Sequence, residues 1–405
     1  MSVTTAQHEE SEGWPALEWE DQTWLPSGGW GPRAAALSGP TLYQSAVPPS
    51  IARRAVDLSA GVGAAASDAA MELSRLDAEL GSRITAFGPV LLRSEAASSS
   101  QIENLTASAR ALFTAELGGR TGSNAKLVAA NVHALLAALD DASRIDPSSI
   151  LAMHAQLMAE QTRHRPGEWR DEPVWIGTRS DSPRGADFVA PHSDRVPGLV
   201  DDLVEFSRRL DVPVLALIAI SHAQFETIHP FTDGNGRTGR AFVQALLRAH
   251  GVTRSVAVPV SAGLLADVHG YHQALTAYRE GDLEPIVEAF ASASFRAVVN
   301  VRALVEEIDA IRAQWESALT VRRSSRAWTL LDVFARRPIL SAAAAAAEVG
   351  VQAPNVYPPL RALEEAGIVT SKSVHGMGPV WMSDAILTAI DRFAERAGRR
   401  SSSAP

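Results

Sequence analysis

The feature that most constrains this chain is the run HPFTDGNGRTGR at residues 229–240. Residues 213–228 before it have the apolar spacing of a helix, and Pro230 cannot continue that helix because its ring blocks the preceding turn. Two glycines then allow tight backbone geometry, and a second helix is predicted from Asn235 to about residue 250. The run therefore predicts a helix, a tight loop and a second helix.

The start of that second helix has the composition of an anion site. The amides around Gly234 and Gly236 lie at a helix N-terminus, where unpaired N–H groups and the positive end of the helix dipole attract negative charge. Arg237 and Arg240 are three residues apart and project from neighbouring positions. Two guanidiniums beside an amide nest suit a polyphosphate better than a single carboxylate.

Two further side chains of the loop add reactivity. His229 carries an imidazole that titrates near neutral pH, which suits it to accept a proton from an attacking hydroxyl. Asp233 is a hard oxygen ligand that could hold Mg²⁺ against bound phosphates. A base, a metal carboxylate and an anion nest are sufficient for nucleotidyl or phosphoryl transfer.

The run resembles the signature of the Fic (filamentation induced by cAMP) family, H-x-F-x-[D/E]-G-N-G-R-x-x-R, and every fixed position is matched. The matching residues are His229, Phe231, Asp233, Gly234, Asn235, Gly236, Arg237 and Arg240. The resemblance extends over most of residues 40–385. It implies a protein adenylyltransferase that moves AMP from ATP to a Ser, Thr or Tyr hydroxyl of a target protein.

The resemblance also assigns roles. His229 would deprotonate the target hydroxyl, and Asp233 would hold Mg²⁺ on the α- and β-phosphates of ATP. Phe231 would anchor the loop without a chemical role. The residues expected to hold the phosphates are Gly234, Asn235, Gly236, Arg237 and Arg240.

A second segment, SSQIEN at residues 99–104, resembles the family's inhibitory pattern [S/T]-x-x-x-E-[G/N]. Ser99 and Glu103 are four residues apart and share one face of a helix predicted over about residues 91–117. By resemblance, Glu103 would pair with Arg240 and deny it to the γ-phosphate. An ordinary helix turn is the alternative interpretation.

Residues 163–192 are rich in proline and glycine and predict a hairpin or an extended loop. By resemblance this is the family's flap, whose edge would bind a target segment through main-chain hydrogen bonds. The flap residues are Trp175, Ile176, Gly177, Phe188 and Val189. Packing at the hairpin base stays open for Trp175 and Phe188, and Tyr271 could line an adenine pocket or pack in the core.

Residues 326–384 predict helix, helix, helix and hairpin, the order of a winged helix-turn-helix. Pro358 and Pro359 are expected to interrupt the helix that would enter DNA, and few basic residues surround it. Target recognition or a homodimer contact is therefore favoured over DNA binding.

The predicted fold is mainly α, a Fic-like helical core with a small β-hairpin flap. The predicted parts are a disordered N-terminus (1–13), an N-terminal helical region (14–125), the catalytic core (126–300) with the flap at 170–192, a connecting helix (301–325), the winged-helix-like domain (326–395) and a disordered tail (396–405).

Composition limits the remaining function classes. The 405-residue chain has a net charge of −9, which excludes a nucleic-acid binder driven by overall charge. It has no cysteine, so disulfides and thiolate metal sites are excluded. No leader and no membrane span is predicted, and we expect a cytoplasmic protein.

Three alternatives stay open at this point. The first is a Fic-type enzyme that uses another nucleotide or removes AMP. The second is a transcriptional regulator in which the core senses nucleotide and the C-terminal module contacts DNA. The third is a metal site at His222, Glu226 and His229, although side chains seven residues apart seldom converge on one ion.

Overall fold

The computed structural model describes residues 13–24, 40–81, 83–140, 142, 144–161, 163–177, 182–374 and 378–398. It is 62% helical with small antiparallel sheets, which confirms the prediction of a mainly α fold. The predicted disordered ends lie outside these ranges, except for residue 13 and residues 396–398.

An antiparallel strand pair lies at the start of the described chain. Strand β1 (Glu18–Trp24) pairs with β2 (Thr41–Val47), with Trp19 opposite Ala46. The sequence predicts a helical region from residue 14, so this pair is a departure from the prediction. Its exposed and buried positions alternate along much of both strands, which is the period of a strand and not of a helix.

Three helices follow within the predicted N-terminal helical region, and a fourth begins at its end and extends into the range predicted as the core. They are α1 (Ala60–Gly81), α2 (Ile84–Ile102), α3 (Ala109–Glu116) and α4 (Ser123–Asp140). The single helix predicted over about residues 91–117 is two helices. The chain turns at Asn104, which has a positive φ of 59°, and Ser108 then caps α3 by accepting a hydrogen bond from the Ala111 N–H.

The central part of the chain begins with a capped helix. Asp146 accepts the Ser149 N–H at 2.8 Å and Pro147 occupies the first turn, where proline is tolerated. The elements that follow are α5 (Pro147–Leu157), β3 (Trp175–Ile176), β4 (Phe188–Val189), α6 (Val196–Ser207), α7 (Val214–Ile228), α8 (Asn235–Ala249), α9 (Val260–Leu265), α10 (Val268–Arg279) and α11 (Glu284–Ala318).

Helix α7 lies at the centre of this part. Every residue from Leu215 to Ile228 is buried, so α7 is enclosed on all sides by other helices. Strands β3 and β4 pair antiparallel at the predicted hairpin. The loop at residues 229–234 joins α7 to α8 and is therefore supported by the best-packed element of the core.

The C-terminal elements are α12 (Arg326–Arg336), β5 (Ile339–Ser341), α13 (Ala342–Val349), α14 (Tyr357–Glu365), β6 (Thr370–Val374), β7 (Gly378–Met382) and α15 (Asp384–Gly398). They contain the predicted helices and hairpin, with β5 as an additional strand in the sheet order β5–β7–β6. Pro358 and Pro359 lie in the first turn of α14 and do not interrupt it. This corrects the prediction, because proline is tolerated where no intrahelical donor is needed.

The C-terminal elements are not isolated from the rest. Helix α12 packs against α2, and α15 packs against α11 and α2, so their apolar residues join one continuous core with the N-terminal and central helices. Among the helices of the described ranges, none has the length and apolar character that a bilayer crossing requires.

Candidate active site

The loop after α7 begins with an unusual backbone conformation. His229 follows the last helical residue with φ 49° and ψ 61°, a left-handed conformation that costs free energy in a residue with a Cβ. The buried Arg170 guanidinium donates to the carbonyl oxygens of His229 at 2.8 Å, Pro191 at 2.6 Å and Ile228 at 3.3 Å. Arg170 therefore holds the loop in this conformation and links it to the end of the flap.

The His229 imidazole is oriented by a main-chain acceptor. Its Nδ1 lies 3.3 Å from the Glu226 carbonyl oxygen, which can only accept, so Nδ1 carries the hydrogen and Nε2 has a free lone pair. Burial, together with the nearby Arg279 and Arg170 guanidiniums, lowers the pKa of His229 to about 4. The ring is neutral at pH 7, the form that a general base requires.

The middle of the loop is braced by Asn235. Its side chain accepts the Phe231 N–H at 2.9 Å and donates to the Phe231 carbonyl at 2.8 Å. The sequence predicts that Asn235 holds phosphate, but both ends of its amide are used within the loop. This side chain therefore braces the loop, and its role in phosphate binding stays a prediction.

His154 of α5 is a second brace, and sequence reasoning missed it. Its ring stacks on the fully buried Phe231 ring at 3.7 Å, donates to the Asp233 carbonyl at 3.1 Å and accepts the Gly167 N–H at 3.0 Å. Burial lowers the pKa of His154 to about 4, so this network is uncharged at neutral pH. No local motif marks His154, because its partners are 13 and 79 residues away.

The predicted anion nest lies at the start of α8. Gly234 precedes the helix with φ 77°, and the first amides of α8 follow it. Arg237 is buried, and its Nε and Nη1 have no hydrogen-bond partner among the described residues. Two buried guanidinium donors without a partner leave a hydrogen-bonding capacity that an anionic ligand could satisfy.

Asp233 is about half exposed at the rim of this nest. Its Oδ1 accepts the Gly234 N–H at 2.6 Å, and its Oδ2 lies 3.7 Å from His164 Nε2. Within the described ranges no three His, Asp or Glu side chains converge to hold a metal. A single exposed carboxylate nevertheless suits Mg²⁺, whose other ligands come from phosphates and water.

The structure gives no support to a metal site at His222, Glu226 and His229. The His222 Nε2 is 2.7 Å from the Tyr271 hydroxyl, His222 is completely buried, and no three such side chains converge to hold a metal among the described residues. His222 therefore pairs with Tyr271.

Ser99 and Glu103 meet Arg240. Arg240 Nε donates to Ser99 Oγ at 2.9 Å, and its Nη2 donates to the Ser99 carbonyl and to Glu103 Oε1, both at 2.8 Å. Burial raises the pKa of Glu103, but the Arg240 guanidinium outweighs that effect and the net pKa is lowered. The carboxylate is therefore ionised at neutral pH.

Glu103 also reaches the nest itself. A Cβ built on Gly236 would overlap the Glu103 carboxylate oxygen, so the carboxylate lies directly against the backbone of the nest. It thus occupies a place where an anion would bind.

The loop, Glu103 and the flap enclose one cavity of about 810 Å³. The exposed Ile176 and its neighbours Trp175 and Gly177 lie at its rim. Phe188 is buried, with the Arg279 guanidinium 3.7 Å above its ring, and Val189 is buried as well. Trp175, Ile176 and Gly177 are therefore accessible to a binding partner. Phe188 and Val189 instead pack in the protein interior.

Tyr271 lines the same cavity although its ring is buried. Its hydroxyl is held by His222, so core packing and cavity lining coincide at this residue.

The Fic/DOC family model matches residues 144–247, which contain the loop, the helix α7 before it and all but the last two residues of α8. The chain is similar to a protein adenylyltransferase Fic of Nematostella vectensis, 26% identical over 37% of this chain and 32% of the relative. It is also similar to the protein adenylyltransferase fic-1 of Caenorhabditis elegans, 28% identical over 44% of this chain and 33% of the relative. The matched part thus spans about a third of the length of these relatives.

A solved structure of a Fic family protein from Desulfovibrio desulfuricans has the same fold. It superposes with a TM-score of 0.52 at 22% identity and covers 81% of this chain and 97% of that one. The family match itself covers the loop at residues 229–234. The chain therefore carries a domain of the Fic/DOC family.

Proposed function

We propose that this chain is a protein adenylyltransferase that moves AMP from ATP to a hydroxyl of a target protein or of itself. One observation carries the proposal. His229, Arg237 and the first residues of α8, Asn235 and Gly236, line one cavity beneath the flap, and two donors of Arg237 have no partner among the described residues. The names of the matched relatives support the same reaction.

In the proposed reaction His229 Nε2 accepts the proton of a Ser, Thr or Tyr hydroxyl. The oxygen attacks the α-phosphorus of ATP and forms the new P–O bond. The bond between the α-phosphorus and the bridging oxygen breaks, and pyrophosphate leaves with that electron pair. His229 needs no activation, because its imidazole is already neutral.

The nest holds the phosphates in this proposal. The amides at Gly234, Asn235 and Gly236 and the Arg237 guanidinium bind the phosphate oxygens. Asp233 would hold Mg²⁺, which neutralises phosphate charge when bound with ATP. Arg240 completes the set only when Glu103 has left it.

Autoinhibition is the second part of the proposal. Glu103 uses Arg240 Nη2 and lies against Gly236, so its charge and volume oppose a bound γ-phosphate. Ser99 holds the same guanidinium through two further hydrogen bonds. The resting chain is therefore expected to bind ATP in an unproductive orientation.

Target binding is assigned to the flap. Ile176 is exposed beside the cavity, and a target strand along β3 would place its hydroxyl near His229. Tyr271 and the neighbouring residues of α10 supply a wall for the base of the nucleotide.

The decisive experiment compares ATP labelled at the α- or γ-phosphate. Purified Glu103→Gly protein should incorporate α-label into itself or into lysate proteins, and the same protein with His229→Ala should not. Incorporation of γ-label alone would replace the adenylyl reaction with phosphotransfer. Equal labelling by wild type and Glu103→Gly would remove the inhibitory role and leave the reaction standing.

Two related activities are tested in the same assay. Other nucleoside triphosphates compete if the cavity accepts another base, and release of AMP from a labelled target reports removal instead of transfer. ATP is the proposed substrate, and the cytoplasm is the proposed location of the protein.

We also propose that residues 326–395 form a winged-helix-like module for target recognition or homodimer contact. The α14 helix is intact, but Glu364 and Glu365 lie on it and the whole chain is acidic. Tight, salt-sensitive binding to a defined DNA sequence would instead favour the regulator hypothesis.

A further inference from the structure

A second cleft of about 620 Å³ lies far from the loop. It is bordered by residues 88–93 of α2, by α4, by the end of α8 and by α12 and α13. Arg248 at this end of α8 is eleven residues from Arg237, which places it about 16 Å along the helix from the nest. We call this cleft the arginine cleft.

The polar lining of the arginine cleft is mainly cationic. Arg336 and Arg337 share one carboxylate, Glu348, at 2.6 and 2.8 Å. Arg93 is paired with Glu116 at 2.7 Å. The cleft therefore keeps an excess of positive charge in a chain whose net charge is −9.

Arg248 is the unused cation of this set. Its guanidinium makes no hydrogen bond or ion pair with any described residue, and its Nε is buried without a partner. A buried donor without an acceptor costs free energy unless a ligand supplies the acceptor. Arg248 thus marks the place of an anionic group.

The rest of the lining is aliphatic. Leu92, Leu136 and Leu139 border the cleft together with Val256 and Ala257. Leu136 is 42% exposed there, although it is a large apolar side chain. Aliphatic walls beside cations fit a ligand with an apolar body and one charged end.

We propose that the arginine cleft binds an aliphatic anion, a hydrocarbon chain that carries one carboxylate or one phosphate group. The head group contacts Arg248 and the neighbouring Arg336–Arg337 pair, and the chain lies on the leucines. The site is separate from the nucleotide cavity and does not depend on the proposed reaction.

The test is calorimetric titration of the full chain with octanoate, octyl phosphate and 1-octanol, each below its aggregation concentration. Both anions should bind saturably, and octanol at least about tenfold more weakly, because it lacks the charge. The tighter anion distinguishes a carboxylate source from a phosphate ester. Octanol binding as tightly as the anions would overturn the proposal.

Variants locate the site. Arg248→Gln should weaken both anions about tenfold, and Leu136→Glu should do the same by repulsion at an exposed position that tolerates it. The control Arg53→Gln removes a fully accessible arginine elsewhere and should change nothing. Unchanged affinity in a folded Arg248→Gln or Leu136→Glu protein would contradict the assignment.

Hydrogen exchange separates this site from the nucleotide cavity. Octyl phosphate should slow exchange in peptides that cover residues 84–102 and 326–337 and leave the flap at residues 182–192 unchanged. Slower exchange confined to the flap and residues 229–240 would place the ligand in the nucleotide cavity and overturn the proposal.

Discussion

The loop at residues 229–235 and the α2 contact with Arg240 meet at the same nest but are held in different ways. The loop is braced by neutral or permanently charged groups, with Asn235, His154 and Arg170 bound to main-chain atoms. The α2 contact depends on the ionisable Glu103 carboxylate on Arg240, and the same helix has a second ionisable anchor, Glu95 on Ser261.

The loop is therefore held permanently, whereas the Glu103 contact can be released. Main-chain partners cannot leave without local unfolding, and buried neutral bonds do not respond to pH near 7. Glu103 lies at the end of a helix with its side chain 42% exposed, so it can leave by a side-chain rotation. We infer that the loop is rigid and that the Glu103 contact, the proposed inhibitory element, is the adjustable part.

The largest expected effect comes from breaking the loop brace. Arg170→Met leaves the carbonyls of His229 and Pro191 without their buried donor and releases the left-handed turn. Activity of the Glu103→Gly form should fall about 100-fold and the free energy of unfolding by about 3 kcal/mol. Labelling rates and urea unfolding measure both.

The matched control is Arg195→Met, which breaks an exposed pair with Glu20. This substitution should lower the free energy of unfolding by less than about 1 kcal/mol and leave the labelling rate unchanged. Near-normal activity of Arg170→Met would contradict the bracing role.

Weakening the contact between Glu103 and Arg240 should raise activity, whereas breaking the loop brace should lower it. Glu103→Gln keeps the shape of the side chain but removes its charge, so AMP transfer should rise about tenfold above wild type and stay below that of Glu103→Gly. The free energy of unfolding should change by about 1 kcal/mol or less, because the carboxylate is partly exposed. Initial rates of α-label incorporation test this.

Glu116→Gln is the control, since Glu116 makes a similar pair with Arg93 away from the nest. If it activates as strongly as Glu103→Gln, the effect belongs to general loosening of the N-terminal helices.

A smaller effect is expected at the other anchor of α2. Burial raises the pKa of Glu95 from 4.5 to about 7, so the folded chain holds a proton that the unfolded chain releases. This stabilisation is complete below about pH 4.5 and is lost as pH rises through about 7. Between pH 5 and 8, the free energy of unfolding of Glu95→Gln should rise relative to that of wild type by on the order of 1 kcal/mol. If the free energy of unfolding has the same slope against pH in wild type and in Glu95→Gln, the raised pKa of Glu95 is contradicted.

The smallest effect is expected from His229 between pH 8 and 6. Its pKa of about 4 keeps the base neutral in this range, so this group should change the activity of Glu103→Gly by less than about twofold. The acidic fall should begin below pH 5, with circular dichroism confirming that the chain is folded. A fall centred near pH 6.5 would show an unburied imidazole.

Much of the site could be predicted because its signals are local. Pro230, Gly234 and the apolar spacing around them predict the helix, loop and helix, and the residues from 229 to 240 also predict a base and an anion nest. The predicted contact between Glu103 and Arg240 spans 137 residues, and it came from family resemblance. Physical spacing alone supported only a shared helix face.

Other features could not be predicted because their causes are distant in sequence. Arg170 and His154 have their roles only through main-chain atoms far along the chain. The use of Asn235 as a brace was also hidden, since an amide side chain suits a phosphate and a backbone turn equally well. The break between α2 and α3 depends on a left-handed Asn104, which local helix propensity does not forbid.

The sequence by itself determined the helical class, the flap hairpin and the reactive loop, because periodicity, proline and glycine act within a few residues. Only the tertiary structure decided which of those groups are free. Burial keeps the His229 imidazole neutral. The folded arrangement places Glu103 on Arg240. It also leaves Arg237 and Arg248 with guanidinium donors that have no partner among the described residues. Desolvation and hydrogen-bond satisfaction depend on everything that surrounds a group, and the chain supplies that environment only after it folds.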